Sequence, residues 1–347
     1  MTLSDASMAA LAAFLTERLG PSTEPLTLRP CSGGHSNLTA HVRWANQDLI
    51  LRRPPAGAHV KGGHDMGREF RLLERLAPVF PLAPRAIAFC EDPAVLDAPF
   101  FVMERRAGII WRRDLPAGIP PGPEAMRRRG ERFLDGLVSL HGVDVPASGL
   151  SDFGRPEGYV ARQVSGWIRR YQEARLEEDP RIEAIASWLD RHQPADSASC
   201  LIHNDYKLDN VVWEDGGDRL VAILDWEMAA LGDPWMDLGT TLCYWIEAGD
   251  SADLQAIRFG PTHLPGCWTR EELARAYAER SGRSMPDLTF YYAFGLFKTA
   301  VVAQQILTRL TRRGIDDDQS RLMAAGVAAL GAQAARVIDS GRLSPTS

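Results

Sequence analysis

One eight-residue segment concentrates the reactive side chains of this 347-residue chain: His203-Asn204-Asp205-Tyr206-Lys207-Leu208-Asp209-Asn210. It fits H-x-D-x-x-x-x-N, a spacing suited to phosphoryl transfer. The aspartate can orient or accept the proton of an attacking hydroxyl, and the asparagine, at the start of the next strand, can turn back to hold Mg²⁺ on the phosphates. A further acid, Asp225, stands in Ile223-Leu224-Asp225-Trp226-Glu227. Mg²⁺ keeps several waters and takes one or two protein oxygens beside the phosphates, so Asn210 and Asp225 suffice as its protein ligands. Acids at the ends of apolar β segments are poor core material, which sets Asp205 and Asp225 apart from turn caps. Lys207 can neutralise charge developing on a transferring phosphoryl group, or it is simply an exposed loop lysine. His203 is expected to hold the loop in place rather than to move protons.

These residues need elements to position them. The catalytic segment lies in a β island: 199–202, then 211–213, the turn Glu214-Asp215-Gly216-Gly217-Asp218, and 220–224. The Gly pair marks a hairpin. Upstream, after a helix over about 5–18, five short extended segments (26–29, 41–44, 49–52, 85–89 and 100–103) alternate with turn residues. A helix over 66–76 interrupts them, with Phe70, Leu73 and Leu76 on one face. From Pro123 onward the pattern is helical, over 123–142, 157–174, 180–192, 235–247, 270–281, 286–312 and 317–340. The chain exceeds the length at which one core usually stops growing, so two lobes are expected: 1–104 and 105–347, with a hinge at about 103–107. Between the first two strands, Gly33-Gly34-His35-Ser36-Asn37 can cover phosphates with exposed N–H groups.

Composition narrows the class. A hydrophobic fraction of 45% and a charged fraction of 24% are ordinary for a globular chain. A formal net charge of −6, from 39 basic and 45 acidic residues, gives no global drive toward nucleic acid or an anionic membrane. Arg127-Arg128-Arg129 reads as a solvated helix face. Cys31, Cys90, Cys200, Cys243 and Cys267 form no C-x-x-C pair, charges interrupt every apolar run, and a cytoplasmic chain with neither nucleic-acid nor membrane partners is expected. The run 288–307 serves as a core helix or part of a dimer face, so monomer and homodimer both stand. Glu247, Asp250 and Asp253 form either an acidic acceptor pocket or a solvated surface. Trp167, Tyr171, Trp245, Tyr291 and Tyr292 line an acceptor cavity or fill the core.

Taken in order, these motifs resemble the aminoglycoside phosphotransferase family of kinase-like enzymes, and within it the branch related to the kinase-like domain attached to some acyl-CoA dehydrogenases. The resemblance runs from about Leu26 to Arg312. Its marks include Gly33-Gly34-His35-Ser36-Asn37, Leu51-Arg52-Arg53-Pro54-Pro55, Arg68-Glu69-Phe70, Phe100-Phe101-Val102-Met103-Glu104, the catalytic loop, and Leu224-Asp225-Trp226-Glu227 leading to Gly232-Asp233-Pro234 and Asp237-Leu238-Gly239. It implies an α+β, protein-kinase-like fold: a small lobe with a five-stranded antiparallel sheet and one main helix, and a larger helical lobe. It also implies ATP or GTP with Mg²⁺, Asp205 as catalytic base, Asn210 and Asp225 on the metal, and Met103-Glu104 meeting adenine through backbone groups. Asp237 is structural in this reading. The third-strand lysine that kinases pair with a glutamate is here Arg52, with Glu69 as partner, and the usual His-Gly-Asp reads His203-Asn204-Asp205. The expected activity is transfer of the γ-phosphoryl group to a hydroxyl of a small molecule, either a hydroxylated acid or acyl metabolite or an aminoglycoside-like compound. A catalytically silent nucleotide-binding module is the alternative.

Overall fold

The computed structural model describes residues 3–31, 37–55 and 65–345. Gly33, Gly34, His35 and Ser36 of the glycine-rich loop lie outside the described residues. The chain divides into two compact units, one of residues 1–108, 144–151 and 221–228, the other of 109–143, 152–220 and 229–347.

The first unit is built on a five-stranded antiparallel sheet of β1 (Thr27–Pro30), β2 (Leu38–Trp44), β3 (Gln47–Arg53), β4 (Ala86–Cys90) and β5 (Phe100–Glu104), in the order β1-β2-β3-β5-β4. Alternation along β3 decides what each face does. Leu49 and Leu51 join Val42, Phe100 and Val102 in a core closed by Leu11 and Leu15 of α1 (Asp5–Leu19). The residues between them serve the helix α2 (Met66–Leu76), whose Phe70 stacks on Phe89 and meets Phe101 edge-on. Arg52 pairs in register with Phe101, so it belongs to the α2 face. Residues 221–228 complete this unit, with the Trp226 ring edge-on to Phe80 and the Ile223 N–H bonded to the Leu82 carbonyl. A four-residue helix, α3 (Pro93–Leu96), packs on α1.

The second unit is mostly helical: α4 (Pro123–His141), α5 (Tyr159–Ala174), α6 (Pro180–Arg191), α7 (Pro234–Tyr244), α8 (Ala252–Ala256), α9 (Arg270–Ser281), α10 (Thr289–Arg312) and α11 (Asp318–Ser340). Its strands are short. β6 (Ile109–Ile110) pairs with β8 (Val211–Trp213), β7 (Cys200–Ile202) pairs with β10 (Ala230–Gly232), and β9 (Leu220–Ile223), whose last three residues belong to the first unit, follows the turn that Glu214 and Arg219 close. By length and composition α11 is apolar enough to cross a membrane, and here it packs on α10 and α6. Arg129 departs from the solvated face expected of it. It is buried over the Trp111 ring, and donates to the Gly217 and Pro120 carbonyls and to Asp218.

Two glycines set how closely α7 and α10 approach. A Cβ at Gly239 would stand 2.2 Å from the Tyr291 carbonyl oxygen, and one at Gly295 would stand 2.3 Å from the Gly239 carbonyl oxygen. Backbone meets backbone here, so no side chain can yield. Gly239→Ala is therefore expected to cost about 3 kcal/mol through overpacking, despite the better helix propensity of alanine. A urea midpoint equal to that of the unsubstituted protein would refute the crossing.

Candidate functional site

The second unit carries the catalytic loop. β7 ends at Ile202, and the chain then turns through Asn204, whose φ of +66° lies in the left-handed region that costs a non-glycine residue energy. Asp237, in the first turn of α7, holds this turn: its two oxygens accept the His203 and Asn204 N–H groups at 2.7 Å each. His141 of α4 adds an Nε2 contact to Asp237 at 3.0 Å, and the Tyr277 hydroxyl of α9 is hydrogen-bonded to its Nδ1 at 2.6 Å. Burial alone would push the Asp237 carboxyl up, but His141 and the loop N–H groups outweigh it and hold the pKa below the ordinary aspartate value. His203 is fully buried and its Nδ1 accepts the Asp205 N–H at 3.3 Å. It shapes the loop.

Asp205 is thereby presented with its carboxylate surrounded by donors. Asn210, closing the short 3-10 turn Leu208–Asn210, gives Nδ2 to Oδ2 at 2.8 Å, and Lys207 Nζ stands 3.0 Å from the same oxygen. Tyr244, at the C-terminal end of α7, donates to Oδ1 at 2.6 Å. Burial raises the pKa of this phenol well above 10, so it stays a donor. Lys207 also lies 5.1 Å from the centroid of the Tyr244 ring. Because Asn210 turns its amide nitrogen to Asp205, its carbonyl oxygen is the atom suited to a hard cation. Lys207, Tyr244, Thr241, Trp245, Phe259 and Gly260 help to line a small pocket, and the Thr241 hydroxyl, buried there, has no hydrogen-bond partner among the described residues.

The first unit carries the other cluster. Arg52 is 6% exposed and donates to Glu69 Oε1 of α2 at 2.9 Å, to Asp225 Oδ1 at 2.8 Å and to Glu227 Oε2 at 3.0 Å. Asn37 donates to the same Glu227 oxygen at 2.6 Å. Burial works against the guanidinium charge, but Glu69, Asp225 and Glu227 outweigh it and raise its pKa. Glu69 responds in the other sense: burial, with Asp225 adding to it, outweighs the pull of Arg52 and pushes the carboxyl up to about 7. Asp225 has φ +67°, in the left-handed region that aspartate adopts more readily than most side chains.

The profile of the phosphotransferase enzyme family matches residues 27–282. The chain belongs to that family. Mouse acyl-CoA dehydrogenase family member 10 is 33% identical over 304 residues, which are 86% of this chain and 28% of that protein. Rat acyl-CoA dehydrogenase family member 11 is 31% identical over 315 residues, 86% of this chain and 38% of that one. The chain thus spans between a quarter and two fifths of the length of these curated relatives. Among solved structures, a candidate aminoglycoside phosphotransferase from Ralstonia eutropha is 27% identical with a TM-score of 0.76, over 94% of this chain and 98% of that one. A choline kinase from Cryptosporidium parvum, 12% identical with a TM-score of 0.65 over 96% and 97%, shares the fold. The fold is the α+β, kinase-like arrangement of this phosphotransferase family.

Several expectations meet a different arrangement in this family member. Glu247 and Asp250 make neither an acidic pocket nor a solvated surface, because both are buried around Arg270. Asp250 takes the guanidinium at 2.7 Å on each oxygen, and Glu247 lies 3.1 Å from its Nε. Asp253 remains exposed on α8. Trp167, Tyr171, Tyr291 and Tyr292 are core residues, and of the five aromatics named from the sequence only Trp245 lines the small pocket. Met103 and Glu104 lie in β5. The Glu104 N–H is engaged by the Arg85 carbonyl, and its carboxylate by Arg85 and Arg106, so that N–H cannot serve adenine. Sequence reasoning missed Tyr244, Glu227, Tyr159 and Lys298. Two left a signal: Glu227 stands two residues after Asp225, and Lys298 is the lone charge in the apolar run of α10.

Proposed function

We propose that the protein is an ATP- and Mg²⁺-dependent phosphotransferase that moves a γ-phosphoryl group to a hydroxyl of a small molecule. The observation that carries this reading is the presentation of Asp205. Its loop is pinned by Asp237, and its carboxylate is oriented by Asn210, Lys207 and Tyr244, as a group that must receive a hydroxyl in one direction requires. Asn210 and Asp225 are the magnesium ligands of this reading. The ion, when bound, neutralises phosphate charge and aligns the transferring group. Lys207 adds a cation beside the base, and the pocket next to Tyr244 receives part of the acceptor. With Glu247 and Asp250 neutralised by Arg270, a polycationic aminosugar loses its carboxylate partners there. That favours a hydroxylated acid or acyl acceptor, as does the kinship with acyl-CoA dehydrogenase family members.

The test is acceptor-stimulated ADP release over a panel of hydroxylated acids, acyl derivatives and aminoglycosides, with GTP tried beside ATP. Asp205→Asn is expected to lower turnover by about 10²- to 10⁴-fold, the range for loss of a positioned base, with MgATP affinity retained. Unchanged turnover would remove Asp205 from the chemistry. One observation favours a second reading, a silent nucleotide-binding module: three carboxylates already occupy the guanidinium of Arg52, the residue expected at the phosphates. Nucleotide binding with no ADP release for any acceptor would select it.

A further inference from the structure

Asn204 is held at three separate points by three helices. Asp237 of α7 accepts its N–H at 2.7 Å. Tyr159, the first residue of α5, donates its hydroxyl to the Asn204 side-chain oxygen at 2.9 Å. Lys298 of α10 donates to the Asn204 backbone carbonyl at 2.5 Å. The start of α5 is itself tied down, because Gly158 offers no capping side chain and Asp196 accepts the Tyr159 and Val160 N–H groups instead. Lys298 is 3% exposed and lies 5.8 Å from the centroid of the Trp167 ring.

A buried ammonium group is costly to keep. Burial lowers the Lys298 pKa despite Asp205 and Asp237 nearby, so the charge is carried against a desolvation cost. Asn204 likewise occupies a backbone region where glycine would be unstrained. Costs of this kind persist where a geometry has a use. Residue 204 immediately precedes the proposed base, and a displacement of about 1 Å at such a group can lower a rate about 100-fold.

We infer that Tyr159 and Lys298 are positioning residues for Asp205, acting through the side chain and the backbone carbonyl of Asn204 respectively. This rests on the phosphotransfer reading for its consequence in turnover, though not for the geometry. An asparagine at this position gives Tyr159 a side chain to hold, which glycine could not. The carbonyl grip of Lys298 is independent of residue type.

The experiment is a pair of cycles read by amide hydrogen exchange of the 203–206 segment, by melting temperature and by MgATP turnover, with water as acceptor where no other is known. Tyr159→Phe is expected to speed exchange in that segment and to lower turnover about tenfold with an unchanged KM for MgATP. In the Asn204→Gly background the same substitution should change neither. Lys298→Met should speed exchange and lower turnover in both backgrounds, because the carbonyl grip does not depend on the side chain at 204. Equal effects of Tyr159→Phe in the two backgrounds would overturn the proposal. So would a Lys298→Met protein that melts lower with exchange at 203–206 unaltered. Exchange requires no catalysis, so a protein that exchanges as expected but turns over no ATP rejects the phosphotransfer reading and keeps the clamp.

Discussion

Asp237→Asn is expected to destabilise the protein by about 3–5 kcal/mol and to lower turnover about 100-fold. The carboxylate accepts two loop N–H groups and faces His141 on a third side, all fully buried. An amide can supply only one acceptor oxygen, so its NH₂ group must face a loop N–H: that of Asn204 in one orientation, that of His203 together with the imidazole in the other. The loop would lose the hold that keeps Asn204 left-handed, and Asp205 would move with it. Calorimetry and steady-state kinetics on the same sample check both halves. The pH dependence has a definite sign. The folded-state pKa of Asp237 lies below its unfolded value, so its contribution is present above about pH 4 and is lost as pH falls through the folded value. Asp237→Asn should therefore narrow its stability deficit only in strong acid. A substitution that spares stability but abolishes turnover would assign Asp237 to the chemistry instead of the scaffold.

Arg52→Met has the second large effect, with an expected loss of about 3–5 kcal/mol, because Glu69, Asp225 and Glu227 are left with their shared cation removed. The cost should depend on pH. The Glu69 carboxyl is raised from its ordinary value of 4.5 to about 7, so its favourable contribution is complete below 4.5 and is lost as pH rises through about 7. The variant should accordingly melt closer to the unsubstituted protein at pH 5 than at pH 8. Arg52→Lys keeps one charge but cannot span three carboxylates in one plane, so it should fall between the two. Thermal melts of the three proteins at both pH values decide this. If Arg52→Met melted like the original at pH 8, the cluster would not be the counter-ion system described.

Much of the architecture was legible from local pattern. The helix over 66–76 matches α2 (Met66–Leu76), because its apolar spacing is helical and Asp65 caps it, and the five N-terminal extended segments all became strands of one sheet. The elements that escaped were α3, α8, β6 and β10, each of two to five residues and too short for any periodicity to show. Paired acids and bases escaped for another reason. Glu247 and Asp250 look like a surface cluster in the sequence because their neutralising partner, Arg270, lies twenty or more residues away. Arg129 was misplaced on a solvated face for the same cause, since its acceptors at Gly217 and Asp218 are brought to it by folding.

For the catalytic loop the division is similar. The spacing of His203, Asp205 and Asn210 is local and set by one tight turn, so the sequence by itself determined which groups meet there: Asn210 on Asp205, and Lys207 beside Asp205. It also determined the family and its kinase-like fold, because several motifs in a fixed order leave few alternatives. What only the tertiary structure decided is how the loop is held. Asp237, Tyr244, Tyr159 and Lys298 come from three helices between 33 and 94 residues away, and they reach Asn204 and Asp205 from α7, α5 and α10. Hydrogen bonds of that range depend on where packed helices stop, which no short stretch of sequence encodes.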